Sequence, residues 1–355
     1  MKRVVLQISA FLIILLLGAG AGFALHIGKA LKPMPASPEV QRISYPPGTT
    51  AAQLAAELQS KGIVRDARMF TWYLKYKKEG SRFQAGEYEM SPGIALDGII
   101  GQLNRGETVK EDMLRLTVPE GYTVRQIADK LPALGIDAEE FVRQAQSYQA
   151  KEGSVAALIP SDSPLKWRLE GYLFPETYEW KKDVKPQEML EKMISELDKK
   201  LEGLPAGWQE VLKQRGLSFH QALTLASLIE REVVLEEERT LVSGVIANRI
   251  KQGMPLQIDA TVQYLFDKPK ERLFEKDLQT ESPYNTYLNK GMPPGPIASP
   301  SLASIRAAIY PAETNYLFYV TKKDGSKGHL FAETYEQHKK NITDSNMTAS
   351  SGAKP

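Results

Sequence analysis

Cysteine is absent from the 355 residues, which removes disulfides, thiolate nucleophiles, iron–sulfur clusters and cysteine-based zinc sites. Histidine is scarce: His26, His220, His329 and His338 are the whole set, and no His-Glu-x-x-His occurs, so no metal site is expected. No nucleotide cofactor is expected either, since neither Gly-x-x-x-x-Gly-Lys-Ser/Thr nor Gly-x-Gly-x-x-Gly is present. The Gly-x-Ser-x-Gly elbow of serine hydrolases is missing as well. A charge excess of one sign is lacking: 45 Lys+Arg against 43 Asp+Glu leaves +2, which gives no global electrostatic case for nucleic acid. What remains is ordinary for a folded chain, with 42% hydrophobic and 25% charged residues, and the length suggests two or three domains.

One stretch lacks charge altogether. Val4 to Ile27 contains no Asp, Glu, Lys or Arg, and at ~1.5 Å per residue it reaches about 36 Å, enough for a hydrocarbon core of ~30 Å. A cleaved signal peptide is the rival reading, but its apolar stretch is typically ~7–15 residues. Residues 1–29 are therefore expected to be a cytoplasmic tip and an uncleaved anchor in the plasma membrane. Lys2 and Arg3 favour a cytoplasmic start and an extracytoplasmic remainder, although Lys29 and Lys32 weaken the asymmetry. Residues 30–43, with Pro33, Pro35 and Pro38, read as a stiff linker. Residues 342–355 are rich in Ser, Thr, Ala and Gly and read as a disordered tail.

An internal repeat lies between them. Pro46-Pro-Gly-Thr-Thr-Ala-Ala-Gln-Leu-Ala-Ala-Glu-Leu58 matches Pro119-Glu-Gly-Tyr-Thr-Val-Arg-Gln-Ile-Ala-Asp-Lys-Leu131, and Gly62-Ile63 keeps the same offset to Gly135-Ile136. Thr50 and Thr123 are candidate N-caps, because a hydroxyl can accept from the orphan amides of a first helical turn. Leu54, Ala55 and Leu58, like Ile127, Ala128 and Leu131, form an apolar helix face, and each following Gly suits a left-handed stop. Each copy then predicts a strand end, a capped helix and a turn. Two copies are too few for a solenoid, so a small α+β module is expected.

Pro186–Leu201 and Phe219–Val234 predict two more helices, Tyr316–Val320 and His329–Phe331 a hairpin about Asp324-Gly325, and Glu333–Asn341 a last polar helix. On the wheel, Glu230 shares a face with Ala222, Leu223, Ala226, Ser227, Val233 and Val234. A carboxyl among small and apolar side chains loses solvation, which favours the neutral form that a general acid needs, and small neighbours leave room for a ligand across the helix. The other reading makes Glu230 a structural carboxylate held by Arg231, Arg239 or Arg249. Glu232 falls on the opposite side, and Glu236-Glu237-Glu238 reads as a solvated charge run. Gln257, Asp259 and Thr261 alternate as on one polar strand face. The segments Glu170–Tyr178, Ser282–Tyr287 and Gly291–Pro300 combine rings, amides, hydroxyls and prolines. They could be structural turns, or they could bind a neutral polar ligand such as a sugar, whose C–H faces stack on rings.

Taken in order, several of these motifs resemble the endolytic murein transglycosylase family, the MltG/YceG-like proteins. The likeness rests on Glu170-Gly-Tyr-Leu-Phe-Pro-Glu-Thr-Tyr178, Ala226-Ser-Leu-Ile-Glu-Arg-Glu232, Asn248-Arg249 with Leu256-Gln257, Ser282-Pro-Tyr-Asn-Thr-Tyr287, Gly291-Met-Pro-Pro-Gly-Pro-Ile297 and Gly328-His-Leu-Phe331. The resemblance implies an α+β fold: a transmembrane helix, a LysM-like module over residues 44–117 and a YceG-like catalytic domain over 118–341, with 118–165 as its repeat-like helical part. It implies Glu230 as the essential acid, no cofactor, peptidoglycan glycan strands as substrate, and glycan-polymerising synthases as partners near the membrane. Gln257, Asp259, Tyr284 and Asn285 become candidates for orienting the glycan or Glu230. One departure stands out: Ile258 occupies a position where the family usually has Ser or Thr. The alternatives are a tethered peptidoglycan-binding scaffold without catalysis, or a hydrolytic muramidase.

Overall fold

The computed structural model describes residues 25–109, 113–266 and 268–352, with side chains through residue 348. The expected membrane segment falls, except for its last residues, outside the described part. Among the described residues no helix is long and apolar enough to cross a membrane. The chain divides into two compact units, Met1–Glu111 and Asp112–Pro355, each with its own core.

In the first unit β1 (Gln41–Tyr45) leads into α1 (Ala51–Ser60), then α2 (Ala67–Lys77), β2 (Gly86–Met90) and α3 (Leu96–Arg105). β1 and β2 pair antiparallel, with Ile43 opposite Tyr88, and both of these side chains are fully buried. Leu54, Leu58, Phe70, Leu74, Ile99 and Leu103 close the core from the three helices. The stretch read as a stiff linker, residues 30–43, is fastened to this unit. Leu31 packs on its core, Arg65 donates to the carbonyls of Lys32 and Pro33, and the Ser37 N–H donates to the Pro92 carbonyl at 3.2 Å. Backbone carbonyls that could not pair among themselves found a guanidinium.

The second unit contains β3 (Met113–Thr117), α4 (Val124–Ala128), α5 (Ala138–Ser147), β4 (Thr177–Lys181), α6 (Pro186–Leu201), α7 (Trp208–Gln214), α8 (Phe219–Glu232), α9 (Arg239–Lys251), α10 (Asp259–Gln263), α11 (Glu275–Leu278), α12 (Leu302–Ile309), β5 (Phe318–Thr321), β6 (His329–Ala332) and α13 (Tyr335–Gly352). β3 pairs antiparallel with β4, and β5 with β6. α8 runs through the middle: Phe219, His220 and every residue from Ala222 to Ile229 are buried, and Gln221 of the cap is the one exposed position among them. Its start is capped reciprocally by Ser218 and Gln221, the capping box of a well-defined helix origin.

Three expectations change here. Residues 257–261 are not a strand: Gln257 stands at φ 53° and Asp259 opens α10. A left-handed residue cannot continue an extended run. Residues 342–352, expected to be disordered, prolong α13, and the Ser345 hydroxyl donates to the Thr321 carbonyl at 2.9 Å. Glu238 is no part of a solvated run, because it is buried and accepts from the backbone N–H and Nδ1 of His329. A buried carboxylate needs such partners, and the pairing pins β6 beside the start of α9.

Candidate active site

Glu230 sits in the last turn of α8 with only 6% of its side chain exposed. Ser301, the N-cap of α12, donates to Oε2 twice, from its backbone N–H at 2.9 Å and from its hydroxyl at 2.6 Å. Oε1 faces the Arg239 guanidinium at 3.6 Å. Arg239 in turn donates through Nε to the Ser304 hydroxyl, and the Ser304 N–H donates to the Ser301 hydroxyl. The carboxyl thus lies at the mouth of a helix N-terminus, where backbone donors and the dipole both suit an anion.

This setting is more polar than the wheel suggested. Segment 297–301 and α12 lie along the small-residue face of α8. The Ile297 N–H donates to the Ser227 hydroxyl at 3.0 Å, one turn before the Ser301–Glu230 contact. Small side chains here let backbone approach backbone. Of the three arginines considered as holders, Arg239 is the one at Glu230. Arg231 donates to the Gly121 carbonyl, while Arg249 donates to the carbonyls of Leu317 and Leu256.

The second repeat copy reaches the site. Gly121 donates to the Ser299 carbonyl and Ser299 donates to the Tyr122 carbonyl, both at 2.8 Å. A Cβ on Gly121 would lie 3.6 Å from Arg231 Cδ and 3.9 Å from Glu230 Cγ. The preceding residue, Glu120, was missed by sequence reasoning. Partial burial and then the charge of Glu230 push its carboxyl above the usual range, and Arg239 opposes this. The sequence signal was the repeat itself, since Glu120 aligns with Pro47 of the first copy and is the only acid added at the loop.

A cleft of about 490 Å³ opens next to this cluster, lined among others by Gln126, Lys166, Trp167, Arg231, Tyr264 and Phe266. Its rings, amide and cations fit the sugar-binding chemistry expected of the loop at 282–300, but different segments supply them. Glu170 lies beneath, fully buried, accepting from the Val124 N–H at 2.9 Å and the Tyr264 hydroxyl at 3.0 Å. Burial pushes its carboxyl up to about 7 against the pull of those hydrogen bonds and of Lys166.

The remaining sequence candidates separate. Asn285 is fully buried: its amide donates to the carbonyls of Leu278 and Thr280, and its oxygen accepts from the Tyr287 N–H. With its polar atoms so engaged, it shapes a loop and presents nothing to a glycan. Tyr284 is buried against Tyr264, its hydroxyl accepting from the Lys166 N–H, and burial pushes that hydroxyl up to about 12. Gln257 is exposed, its N–H donating to the Thr286 carbonyl. Asp259 is exposed and accepts from the Tyr287 hydroxyl at 2.5 Å. Its charge is felt by Glu232, which is bonded to Tyr319 and raised by burial first and Asp259 later. Asp259 therefore belongs to the Glu232 side of the helix end. At position 258 the Ile side chain is buried, and the backbone N–H donates to the Thr286 hydroxyl, so the lost side-chain hydroxyl leaves no backbone group unsatisfied there.

The loops are held by close approaches. A Cβ on Gly171 would meet the Pro296 ring at 2.5 Å, and His220 bridges the Tyr172 hydroxyl and the Pro294 carbonyl, both at 2.9 Å. These contacts fix segment 294–301, and with it Ser301 over Glu230. No group of His, Asp and Glu among the described residues could hold a metal ion.

Known proteins resemble this chain in sequence and, for a solved structure, in fold. The endolytic murein transglycosylase of Bacillus subtilis (strain 168) is 35% identical over 311 residues, which cover 84% of this chain and 82% of that protein. The protein of the same name from Streptococcus pneumoniae D39 is 30% identical over 366 residues, 97% of this chain and 65% of that one. The crystal structure of a yceG-like protein from Listeria monocytogenes matches with a TM-score of 0.56 at 32% identity, covering 86% of this chain and 99% of that one. The signature of the YceG-like family matches residues 43–344, and the chain belongs to that family.

Proposed function

We propose that this protein is an endolytic lytic transglycosylase that cuts the MurNAc–GlcNAc bond of peptidoglycan strands, with Glu230 as acid and base. The observation that carries the reading is the Glu230 carboxyl, sheltered at the end of α8, with Oε2 held by Ser301, Oε1 turned to Arg239, and Arg231 of the cleft next in sequence. Its relatives bear the name of this activity.

In the proposed reaction Glu230 gives a proton to the glycosidic oxygen as the C1–O bond breaks through an oxocarbenium-like transition state. The muramic C6 hydroxyl attacks C1, and its proton passes to the Glu230 carboxylate. A 1,6-anhydroMurNAc end forms, water is not consumed, and the enzyme returns to its starting state. Ser301 fixes the carboxyl and Arg239 faces the oxygen that exchanges the proton.

Residues 4–27 act in this reading as a membrane anchor with the rest outside the cytoplasm. The first unit, two strands around two helices and a third helix beyond, serves as a LysM-like glycan-binding module. Cutting strands while synthases extend them near the membrane would end elongation. A second reading has support in Glu120: a second carboxyl that feels the charge of Glu230 could activate water, giving a hydrolytic muramidase.

Nascent uncrosslinked glycan incubated with the full chain in detergent, with products weighed by mass spectrometry, tests both. Internal fragments with anhydro ends are expected, reduced about 10²–10⁴-fold in Glu230→Gln at unchanged fold. Reducing ends would favour the hydrolytic reading, and undiminished cleavage by Glu230→Gln would overturn the role of Glu230.

A further inference from the structure

The outer face of α2 belongs to neither core nor site. Phe70 and Leu74 turn inward, and on a wheel of ~100° per residue the opposite stripe carries Lys75, Arg68, Trp72 and Tyr76. All four are exposed, Trp72 at 47% and Tyr76 at 70%. The two rings stack with centroids 5.7 Å apart and planes 11° from parallel. Stacked in advance, they form an apolar plate that loses little side-chain freedom on contact. No carboxylate shares the stripe. Asp66 is engaged as the N-cap, and Asp97 lies with Tyr73 and Lys77 around the other side of the helix.

The chain enters this unit beside the start of the same helix. Arg65, immediately before the N-cap, holds the carbonyls of Lys32 and Pro33, and residues 25–30 just upstream are helical. Lys32 lies five positions past Ile27 of the uncharged run, a reach of at most ~17 Å. The helix itself is 11 residues, about 16 Å long. If the run lies in a bilayer, the stripe starts within reach of its headgroups.

We propose that this stripe is a membrane-contact surface, resting on the headgroups of an anionic phospholipid bilayer and holding the first unit against the membrane from which the chain emerges. Tryptophan and tyrosine favour the interface, where one part of the ring is dry and the other wet. Arg68 and Lys75 flank them with charge that anionic headgroups complement and a neutral sugar face does not. The proposal rests on the anchor reading of residues 4–27 and is independent of the chemistry at Glu230.

The test uses the full chain reconstituted in vesicles of phosphatidylcholine, alone or mixed with phosphatidylglycerol, with acyl-brominated lipid as quencher. The chain has four tryptophans, so the difference between parent and Trp72→Phe isolates the emission of Trp72. In anionic vesicles that emission is expected to shift to the blue and to be quenched by brominated lipid. Quenching should fall in phosphatidylcholine alone, and Arg68→Gln and Lys75→Gln should each weaken the contact about five-fold. A chain that floats with the vesicles while Trp72 stays open to acrylamide and untouched by brominated lipid overturns the proposal. Shielding of Trp72 by added glycan strands and not by lipid makes the stripe a sugar platform, and overturns it too. A chain that does not float removes the anchor reading and this proposal together, leaving the cleavage products to judge Glu230 separately.

Discussion

Two stretches of this chain, 46–63 and 119–136, are built alike and placed differently. Each follows a strand, passes a left-handed glycine (Gly48 at φ 87°, Gly121 at φ 75°), and starts its helix with a threonine–glutamine capping box. Each buries the same three positions completely and ends on a left-handed glycine whose follower bonds back to the buried leucine. The surroundings differ. A Cβ on Gly48 would meet nothing within 4 Å, whereas one on Gly121 would touch Arg231 and Glu230. The second helix also begins on the buried Glu170. Local sequence encodes the backbone of both copies; what the fold sets against that backbone decides which of them takes part in chemistry.

The comparison breaks most visibly at its buried leucines. Leu58 and Leu131 are equivalent and fully buried, so truncation to alanine should cost about 2–5 kcal/mol in either copy. Leu58→Ala is expected to speed amide exchange across the first unit and leave glycan cleavage in solution intact. Leu131→Ala should do so in the second unit and take cleavage down with it. Equal loss of protection in both units from either variant would mean that they do not hold separate cores.

Glu170 sharpens the contrast, because only the second copy rests on a buried carboxyl. Its folded value of about 7 lies above the ordinary 4.5, so the folded state binds the proton more tightly. Stability should therefore fall as pH rises from about 4.5 to about 7 and level off beyond, by about 3 kcal/mol at most. Glu170→Gln keeps an acceptor for Val124 and removes the charge. Thermal melts of the variant should lose that pH slope, with the gain over the parent complete above about pH 7 and vanishing only below about pH 4.5. A parent and variant with parallel slopes would assign the pH dependence elsewhere.

How much of this was legible depended on distance along the chain. The caps at Thr50 and Thr123, the burial of Leu54 and Ile127, the span of α6 and the β5–β6 hairpin all follow from residues within a few positions of one another. Glu230 was legible as the odd carboxyl in an apolar helix. Its partners were not, since Ser301 lies 71 residues on, and the Leu302 helix it caps showed only as a serine before an apolar run. The same holds for Glu238, read as solvated because its neighbours are acidic, and buried because His329 lies 91 residues away. Gln257 and Asp259 alternate like a strand, but a left-handed backbone between two buried residues ends that pattern, and no side-chain period reports it. Asn285 and Tyr284 have the chemistry of sugar ligands and spend it on carbonyls and a backbone N–H of their own fold.

The finest difference between the copies is at their caps. Thr50 accepts from the Gln53 N–H and Thr123 from the Gln126 N–H, and loss of such a cap typically costs ~1 kcal/mol. In the first copy nothing described takes over, so Thr50→Ala should cost about that much in denaturant melts of the first unit. In the second copy Glu170 holds the neighbouring Val124 N–H and keeps the first turn wound, so Thr123→Ala should cost about half as much or less. The two losses should be non-additive: Thr123→Ala combined with Glu170→Ala should lose more than the two single losses summed, because each acceptor covers for the other. Strict additivity would mean that the helix start draws its stability from Ile127 and Leu131 in the core, and that the buried carboxyl beneath the cleft does nothing for the cap.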